Sequence, residues 1–461
     1  MRGWVTVEDM TESQHMLEGL SNTPRIKPAE EGDKRPVSVS ARLGRLQFHN
    51  SGKFRVLQVS DIQDGAKVSK DTIALIAASL DTVRPDVVVF TGNQIAGYDP
   101  AFSETFVKRS WNVQEAEKEA LERTRQQVRG AIEQFLTPLI ERGVPFAVTY
   151  GNHDSQCGLT NAQLDEIYRS FPGCLNPVPP DTAETAETAE TADAADDAKN
   201  VETAEASEMR EPGESLLPKQ TVLPFAPGTF ALPVLGLEGA ANVLALALLD
   251  SGGYARGGGF AKPSREALAF LQAVPHRLGV SMMLFQHMPI PQYYDLLKPV
   301  KSNAPYAMQG YRGHAGQYYV LDGERTQVGG YLGEGISCPD ESEEFDLLHG
   351  SLIGISAGHD HRNGFVGDLD GTMLLATPTC GFDTYGPAPD HRATRLIEFD
   401  IRHPHEPRTQ LLTFGELVGK PSSKKAYTYA INAKPPQDGE GDDLLRKPSL
   451  VSRLLGLFGR K

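Results

Sequence analysis

Three short blocks of the sequence carry side chains that could do metal chemistry. "YGNHD" brings Asn152 and His153 behind an apolar run, "FQHMPIPQYY" brings His287, and "GHDHRN" brings His359 and His361 on alternate residues. Neutral imidazole and carboxamide oxygen suit first-row divalent ions, and two imidazoles at i and i+2 in a loop can reach neighbouring ions. A single histidine such as His287 is more often a structural residue, so the weight lies in the set. Two further blocks could feed the same place. "FRVLQVSD" ends on Asp61 and runs on to Gln63 and Asp64, and "DVVVFTGNQIAG" delivers Asn93, an amide where a metal enzyme would want a carboxylate.

Each block needs an element to hold it. "FRVLQVSD" (Phe54 to Asp61) reads as a buried strand, "SKDTIALIAASLDTV" as a capped helix and "DVVVFTGN" as the next strand, a β-α-β unit. Helical spacing runs through "EAEKEALERTRQQVRGAIEQFLTPLIERG", and "PFAVTYGNHD" follows as a third strand. "NVLALALLDSGG" resumes the strand pattern, "PSREALAFLQAV" predicts a helix with Ser264 as its cap, and "VSMMLFQHMPI", "GISAGHDHRN", "TMLLATPTCGF" and "TRLIEFD" are further strands. Strand ends followed by Gly, Pro or Asn are where α/β scaffolds place their chemistry. "GGYARGGGF" lies just past one such end and offers Tyr254 or Arg256 to a phosphate pocket, or is simply a glycine turn; "CGFDTYG" has the same two readings.

In order and context, "SDIQDG", "TGNQIAG", "YGNHD", "FQHMP" and "GHDH" resemble the DxH, GD, GNH[DE], His and GHxH blocks of the calcineurin-like metallophosphoesterases, the superfamily that includes purple acid phosphatases. The resemblance spans about residues 54–400. It implies a four-layer α/β/β/α sandwich of two mixed sheets, of the metallo-dependent phosphatase type, with a dinuclear centre of two divalent ions (Mn, Fe or Zn) at one edge. It further implies that Asp61 and His361 bind one metal and that Asn152, His287 and His359 bind the other. His153 would sit over the leaving group and stabilise charge or donate a proton, with Asp154 orienting it. Two positions depart from the pattern: Gln63 stands in place of the DxH histidine and Asn93 in place of the bridging aspartate. Three readings follow: a working but retuned hydrolase with Gln63, water or Asp64 filling in, an enzyme with one filled site and reduced activity, or a fold kept as a binding or regulatory module. A small phosphomonoester is the expected substrate, with a phosphodiester as the alternative.

Composition sets the frame. The 461 residues carry a net charge of −15, but twelve acidic residues against two basic ones between positions 181 and 214 supply −10 of it. That "DTAETAETAETADAADD" tract, within about 177–218, lacks bulky apolar residues and is expected to be a disordered insert. Without a Lys/Arg stripe, nucleic acid is an unfavoured partner. Residues 1–45 read as a flexible leader, 46–415 as the catalytic-type domain and 416–461 as a polar linker with a basic amphipathic end, "LLRKPSLVSRLLGLFGRK". That end could make a weak membrane-surface contact or dock on the protein. The N-terminal stretch has no secretory pattern, so the expected location is the cytoplasm, with peripheral membrane contact as an option. Cys157, Cys174, Cys338 and Cys380 show no CxxC spacing and are expected to be free thiols.

Overall fold

The structure is a computed structural model that describes residues 35–112, 116–180 and 215–422. The acidic tract, most of the leader and the basic C-terminal segment lie outside the described residues.

The first sheet starts with β1 (Lys53–Val59), crosses through helix α1 (Lys70–Val83) to β2 (Val87–Thr91), and through α2 (Lys118–Arg142) to β3 (Phe146–Thr149). These three strands are parallel. Ser69 caps α1 by accepting from the Asp71 N–H, which fixes where the helix leaves the loop after β1. A short helix, α3 (Asn161–Arg169), follows with a capping box formed by Thr160 and Gln163.

The second sheet comprises β4 (Leu223–Ala226), β5 (Thr229–Leu235) and β6 (Asn242–Leu249), then helix α4 (Arg265–Leu278) and β7 (Met282–Gln286). Ser264 caps α4 through the Ala267 N–H, as its position predicts. A small antiparallel sheet of β8 (Leu297–Val300), β9 (Met308–Gln309) and β10 (Tyr318–Leu321) interrupts the layer. The main sheet resumes with β11 (Leu352–Ala357), β12 (Phe365–Leu369) and β13 (Thr372–Ala376). Its order is β12-β13-β11-β7-β6-β5-β4, parallel through its centre and antiparallel at both edges. The chain then returns to the first sheet as β14 (Ala393–Asp400) and β15 (His403–Thr413), giving the order β15-β14-β1-β2-β3.

Side-chain alternation along the strands makes the layers. Phe54, Val56, Val87 and Val89 face Phe230, Leu246, Leu248 and Phe285 across the gap between the sheets. The alternate residues Leu57, Val88, Phe90 and Val148 pack under Leu75, Ile76, Phe135 and Leu139 of α1 and α2. On the far side, Ala245, Ala247 and Leu284 pack on Leu268, Leu271 and Val274 of α4. The result is an α/β/β/α sandwich of two mixed sheets. Buried on both faces, the central parallel strands read as unbroken apolar runs such as "VVVF".

The leader ends earlier than the sequence suggests. Ser38 caps a five-residue helix, Val39–Leu43, and the buried Asp86 carboxylate accepts from the Ser40 N–H and hydroxyl, from the Arg55 N–H and from the His49 ring. Polar residues hid this segment because its contacts are hydrogen bonds to one buried carboxylate rather than an apolar stripe. At the other end, the Ser422 N–H donates to Asp71, so the packed unit extends past residue 415. The four cysteines are free. No helix among the described residues is long and apolar enough to cross a membrane.

Candidate metal centre

The carboxyl ends of β1, β2, β3, β7 and β11 lie along one edge of the sandwich, and each runs directly into one of the polar blocks. Asp61, Asn93, Asn152, His287, His359 and His361 are all buried there. The loops turn sharply to bring them in. Asp61, Gln63, Asn93 and His359 adopt left-handed backbone conformations, with φ of 52°, 42°, 52° and 65°. Such conformations cost stability in non-glycine residues and cluster at functional sites. Two glycines allow the close approach: a Cβ on Gly92 would lie 2.7 Å from the His287 ring, and one on Gly358 would lie 1.8 Å from Ser60 Oγ.

Backbone carbonyls fix one ring proton on His287 and on His361. His287 Nδ1 donates to the Thr91 carbonyl at 3.0 Å, which leaves Nε2 with a lone pair in the neutral ring. That lone pair faces Asn152 Oδ1 at 3.0 Å, and His359 Nδ1 lies 3.2 Å away. Burial holds His287 and His359 below the usual histidine pKa, so both are neutral. His287 Nε2 and Asn152 Oδ1 are thus two acceptors face to face, a contact that a cation between them would satisfy, and ligand atoms about 2.1 Å from one ion sit roughly 3.0–3.4 Å from each other. A second pair repeats the pattern. His361 Nδ1 donates to the Tyr385 carbonyl at 2.7 Å, so its Nε2 faces Asp61 Oδ1 at 3.2 Å as an acceptor when the ring is neutral. Burial alone would raise the Asp61 pKa. A His361 ring that carries a proton on Nε2 as well donates to the carboxylate and, with the hydrogen bond from Ser60 Oγ, instead holds it well below the usual carboxylate range.

Among the described residues, no group of three or more His, Cys, Asp or Glu side chains is set to hold a metal ion. The donor sets here are completed by amides. Asn152, His287 and His359 fit one borderline divalent ion with wholly neutral ligands; Asp61 and His361 form a half-set beside it. Gln63 Oε1 is buried without a hydrogen-bond partner while its Nε2 donates to Tyr98 Oη, so its oxygen is the available donor of that amide.

Asn93 departs from the expected ligand role. Its Oδ1 accepts from the His153 N–H at 2.9 Å, and that donor fixes the orientation of the amide. Its nitrogen therefore points inward and donates to Asp61 Oδ1 and Asn152 Oδ1, both at 3.2 Å. Asn93 joins the two halves of the site as a hydrogen-bond donor, where a carboxylate would have joined them as a shared ligand. Asp64 also turns away, capping α1 through the Ser69 N–H and the Thr72 hydroxyl.

The contact expected between Asp154 and His153 comes from another residue. Asp154 accepts from the backbone N–H groups of Asn93, Ile95 and Gly151, and so ties the loop after β2 to the loop after β3. Burial pushes its pKa up to about 7 against those bonds. His153 Nδ1 instead meets Gln156 Oε1 at 2.7 Å. Gln156 Nε2 is committed to the Lys108 carbonyl, so Nδ1 must carry the proton and Nε2 is an acceptor. Burial lowers the His153 pKa to about 4. The resting His153 accepts a proton at Nε2 rather than donating one.

The glycine-rich loop after β6 is part of the site. Asn152 Nδ2 donates to Tyr254 Oη at 2.8 Å, and the Arg109 guanidinium lies 3.7 Å above the Tyr254 ring. Tyr385 of "CGFDTYG" stacks on His361 at 4.0 Å, and Thr379 Oγ1 holds the Asp61 carbonyl at 2.6 Å. Gln156 and Tyr98 carried no spacing signal: Gln156 turns back on His153 within one short turn, and Tyr98 reaches Gln63 from another loop.

No family model matches the sequence. It is 22% identical over 381 residues to the probable inactive purple acid phosphatase 14 of Arabidopsis thaliana, covering 77% of this chain and 78% of that one. It is likewise 22% identical to the probable inactive purple acid phosphatase 29 of Arabidopsis thaliana, covering 79% and 82% of the two chains. It is 29% identical over 153 residues to phosphatase DCR2 of Saccharomyces cerevisiae, covering 30% of this chain and 22% of that one. Among solved structures, PhoD aligns with a TM-score of 0.35 at 10% identity, covering 80% of this chain and 69% of that one.

Proposed function

Since the chain belongs to the calcineurin-like metallophosphoesterase superfamily, we propose that it is a metal-dependent phosphoric ester hydrolase whose substrate is a small phosphomonoester. The observation that carries this reading is the convergence of Asn152 Oδ1 with ring nitrogens of His287 and His359 beside the Asp61–His361 pair. A bound divalent ion would supply Lewis acidity and a water acidified toward neutral pH.

The chain's own groups supply the rest. Asn152, His287 and His359 would hold the ion; Asp61, His361 and the oxygen of Gln63 would form a weaker second position. His153 takes a proton at Nε2 as an anionic substrate enters, since the negative charge raises its pKa, and returns that proton to the departing oxygen. Gln156 keeps the ring in register for that exchange. Arg109, beside Tyr254, offers the phosphate a positive charge.

A second reading, a fold retained for binding with little turnover, is favoured by the inward-facing amide of Asn93 and by the names of the two Arabidopsis relatives. Hydrolysis of an aryl phosphate and its bis-ester by metal-stripped protein reloaded with Mn, Fe or Zn separates the two. Turnover lost in His153→Ala supports the hydrolase. Silence with every metal, with Zn or Mn binding retained by calorimetry, supports the binding module.

A further inference from the structure

A single carboxylate serves both metal positions. Asn152, His287, His359, His361 and Gln63 are neutral as ligands, so Asp61 alone brings them a negative charge. The neighbouring carboxylates are held by backbone donors. Asp64 accepts from the Ser69 and Asp383 N–H groups, Asp154 from those of Asn93, Ile95 and Gly151, Asp360 from that of Ser337 and Glu334 from that of Arg362. Ions sharing a centre stand about 3.5–4 Å apart. At that spacing two dications repel roughly four times as strongly as two unit charges, and burial leaves the repulsion poorly screened.

Asn93 adds to that repulsion. Its amide nitrogen points at the junction of the two positions, 3.2 Å from both Asp61 Oδ1 and Asn152 Oδ1, so its partly positive hydrogens lie where a shared anion would have to be. The amide cannot turn over cheaply. A half-turn would set its NH2 group against the His153 N–H and its oxygen against the Asp61 carboxylate. It is also pressed onto the next loop, since a Cβ on Gly151 would lie 2.3 Å from Asn93 Oδ1. The same donor prepares the other position. Turned over, Asn152 would oppose the NH2 group of Asn93 with its own, so the Asn152 oxygen is held toward His287 Nε2, where an ion needs it.

We propose that this centre holds one divalent ion, on Asn152, His287 and His359, and that the inward amide of Asn93 keeps a second dication from the Asp61–His361 pair. Asn93 is then a positioning residue, orienting the ligand oxygen of the filled position while opposing charge at the other. This assignment rests on the proposed function only for the presence of an ion.

The test is a calorimetric Zn titration of the metal-stripped full chain, with bound Zn counted by elemental analysis after gel filtration. Wild type should take one Zn, any second binding at least about a hundredfold more weakly. Asn93→Asp should take two, its weaker Kd tightened by at least about a hundredfold. Aspartate tolerates the left-handed φ of 52° at this position, so the turn is kept. Gln63→His returns an imidazole to the second position but no charge, and should stay at one. Far-ultraviolet circular dichroism checks that both variants are folded. Two Zn in wild type with Kd values within about tenfold, no Zn at all, one Zn in folded Asn93→Asp, or two in Gln63→His overturns the assignment. Should Asn93→Asp fail to fold, wild type and Gln63→His still decide. Hydrolysis is read separately on the same samples. One Zn with no turnover of any ester leaves the stoichiometry standing and drops the hydrolase; two Zn with turnover does the reverse.

Discussion

Asn93→Asp puts the account of the centre to its hardest test, because it restores the carboxylate expected at the junction of two metal positions. In the metal-free protein the new carboxylate would lie about as far from Asp61 Oδ1 as Asn93 Nδ2 does now, 3.2 Å. At an effective dielectric of about 20 the repulsion is roughly 5 kcal/mol. The side chain can escape by taking a proton, and raising a carboxyl from its ordinary pKa of about 3.9 to above pH 7 costs about 4 kcal/mol, which caps the penalty. The folded pKa is raised, so this penalty is absent below about pH 4 and grows as pH rises through the neutral range. With about 2.1 cal/mol/K per residue over roughly 350 described residues, 4 kcal/mol corresponds to a drop in Tm of about 5 °C at pH 7. Divalent ions should reverse the sign, since a shared carboxylate replaces an amide donor that faces the ligands. The assay is thermal melting of wild type and variant at pH 5 and pH 7.5, each with chelator and with saturating Mn or Zn. Equal Tm values in chelator at pH 7.5, or a metal-induced rise no larger in the variant than in wild type, would refute the placement of Asn93 between Asp61 and Asn152.

Other outcomes follow from the same contacts. Gln156→Ala removes the acceptor that holds His153 Nδ1; kcat for an aryl phosphate should fall about tenfold with KM nearly unchanged, the worth of one hydrogen bond made to a working ring. Asp86→Ala leaves the Ser40 and Arg55 donors unanswered and should cost about 3 kcal/mol in urea titration, without altering metal affinity. Burial raises the Glu344 pKa to about 8, so the native state binds a proton that the unfolded chain has lost above its ordinary value of 4.5. The contribution of Glu344 to stability is then present below pH 4.5 and falls by about 1.4 kcal/mol per unit up to about pH 8. Glu344→Gln should flatten that part of the stability–pH curve, as followed by denaturant midpoints. Chelator should lower the wild-type Tm, and His287→Ala should remove the response to added Zn or Mn.

The sequence by itself determined a good deal here. Unbroken apolar runs ending in "SD", "TGN", "YGNHD", "FQH" and "GHDH" located the central strands, their buried faces and the side chains at their ends, because period and burial are local properties of a chain. Their order carried the resemblance to the metallophosphoesterases, and with it the expectation of the two-sheet sandwich that the alternating core residues build. Ser69 and Ser264 were legible as caps for the same reason.

Only the tertiary structure decided which atom of each side chain faces the centre. The Asn93 amide is turned by one backbone N–H from His153, and nothing in "TGNQ" encodes that donor. Asp154 lies next to His153 in sequence, yet its carboxylate braces loops from Asn93 to Gly151, while Gln156, three residues on, takes the ring. A cavity beside Tyr311 is built from segments around positions 291, 311 and 339 that share no sequence period. Hydrogen-bond direction and cavity shape depend on partners brought together by folding from distant parts of the chain. Patterning reads which residues are buried, and only their assembled neighbours fix what each one does there.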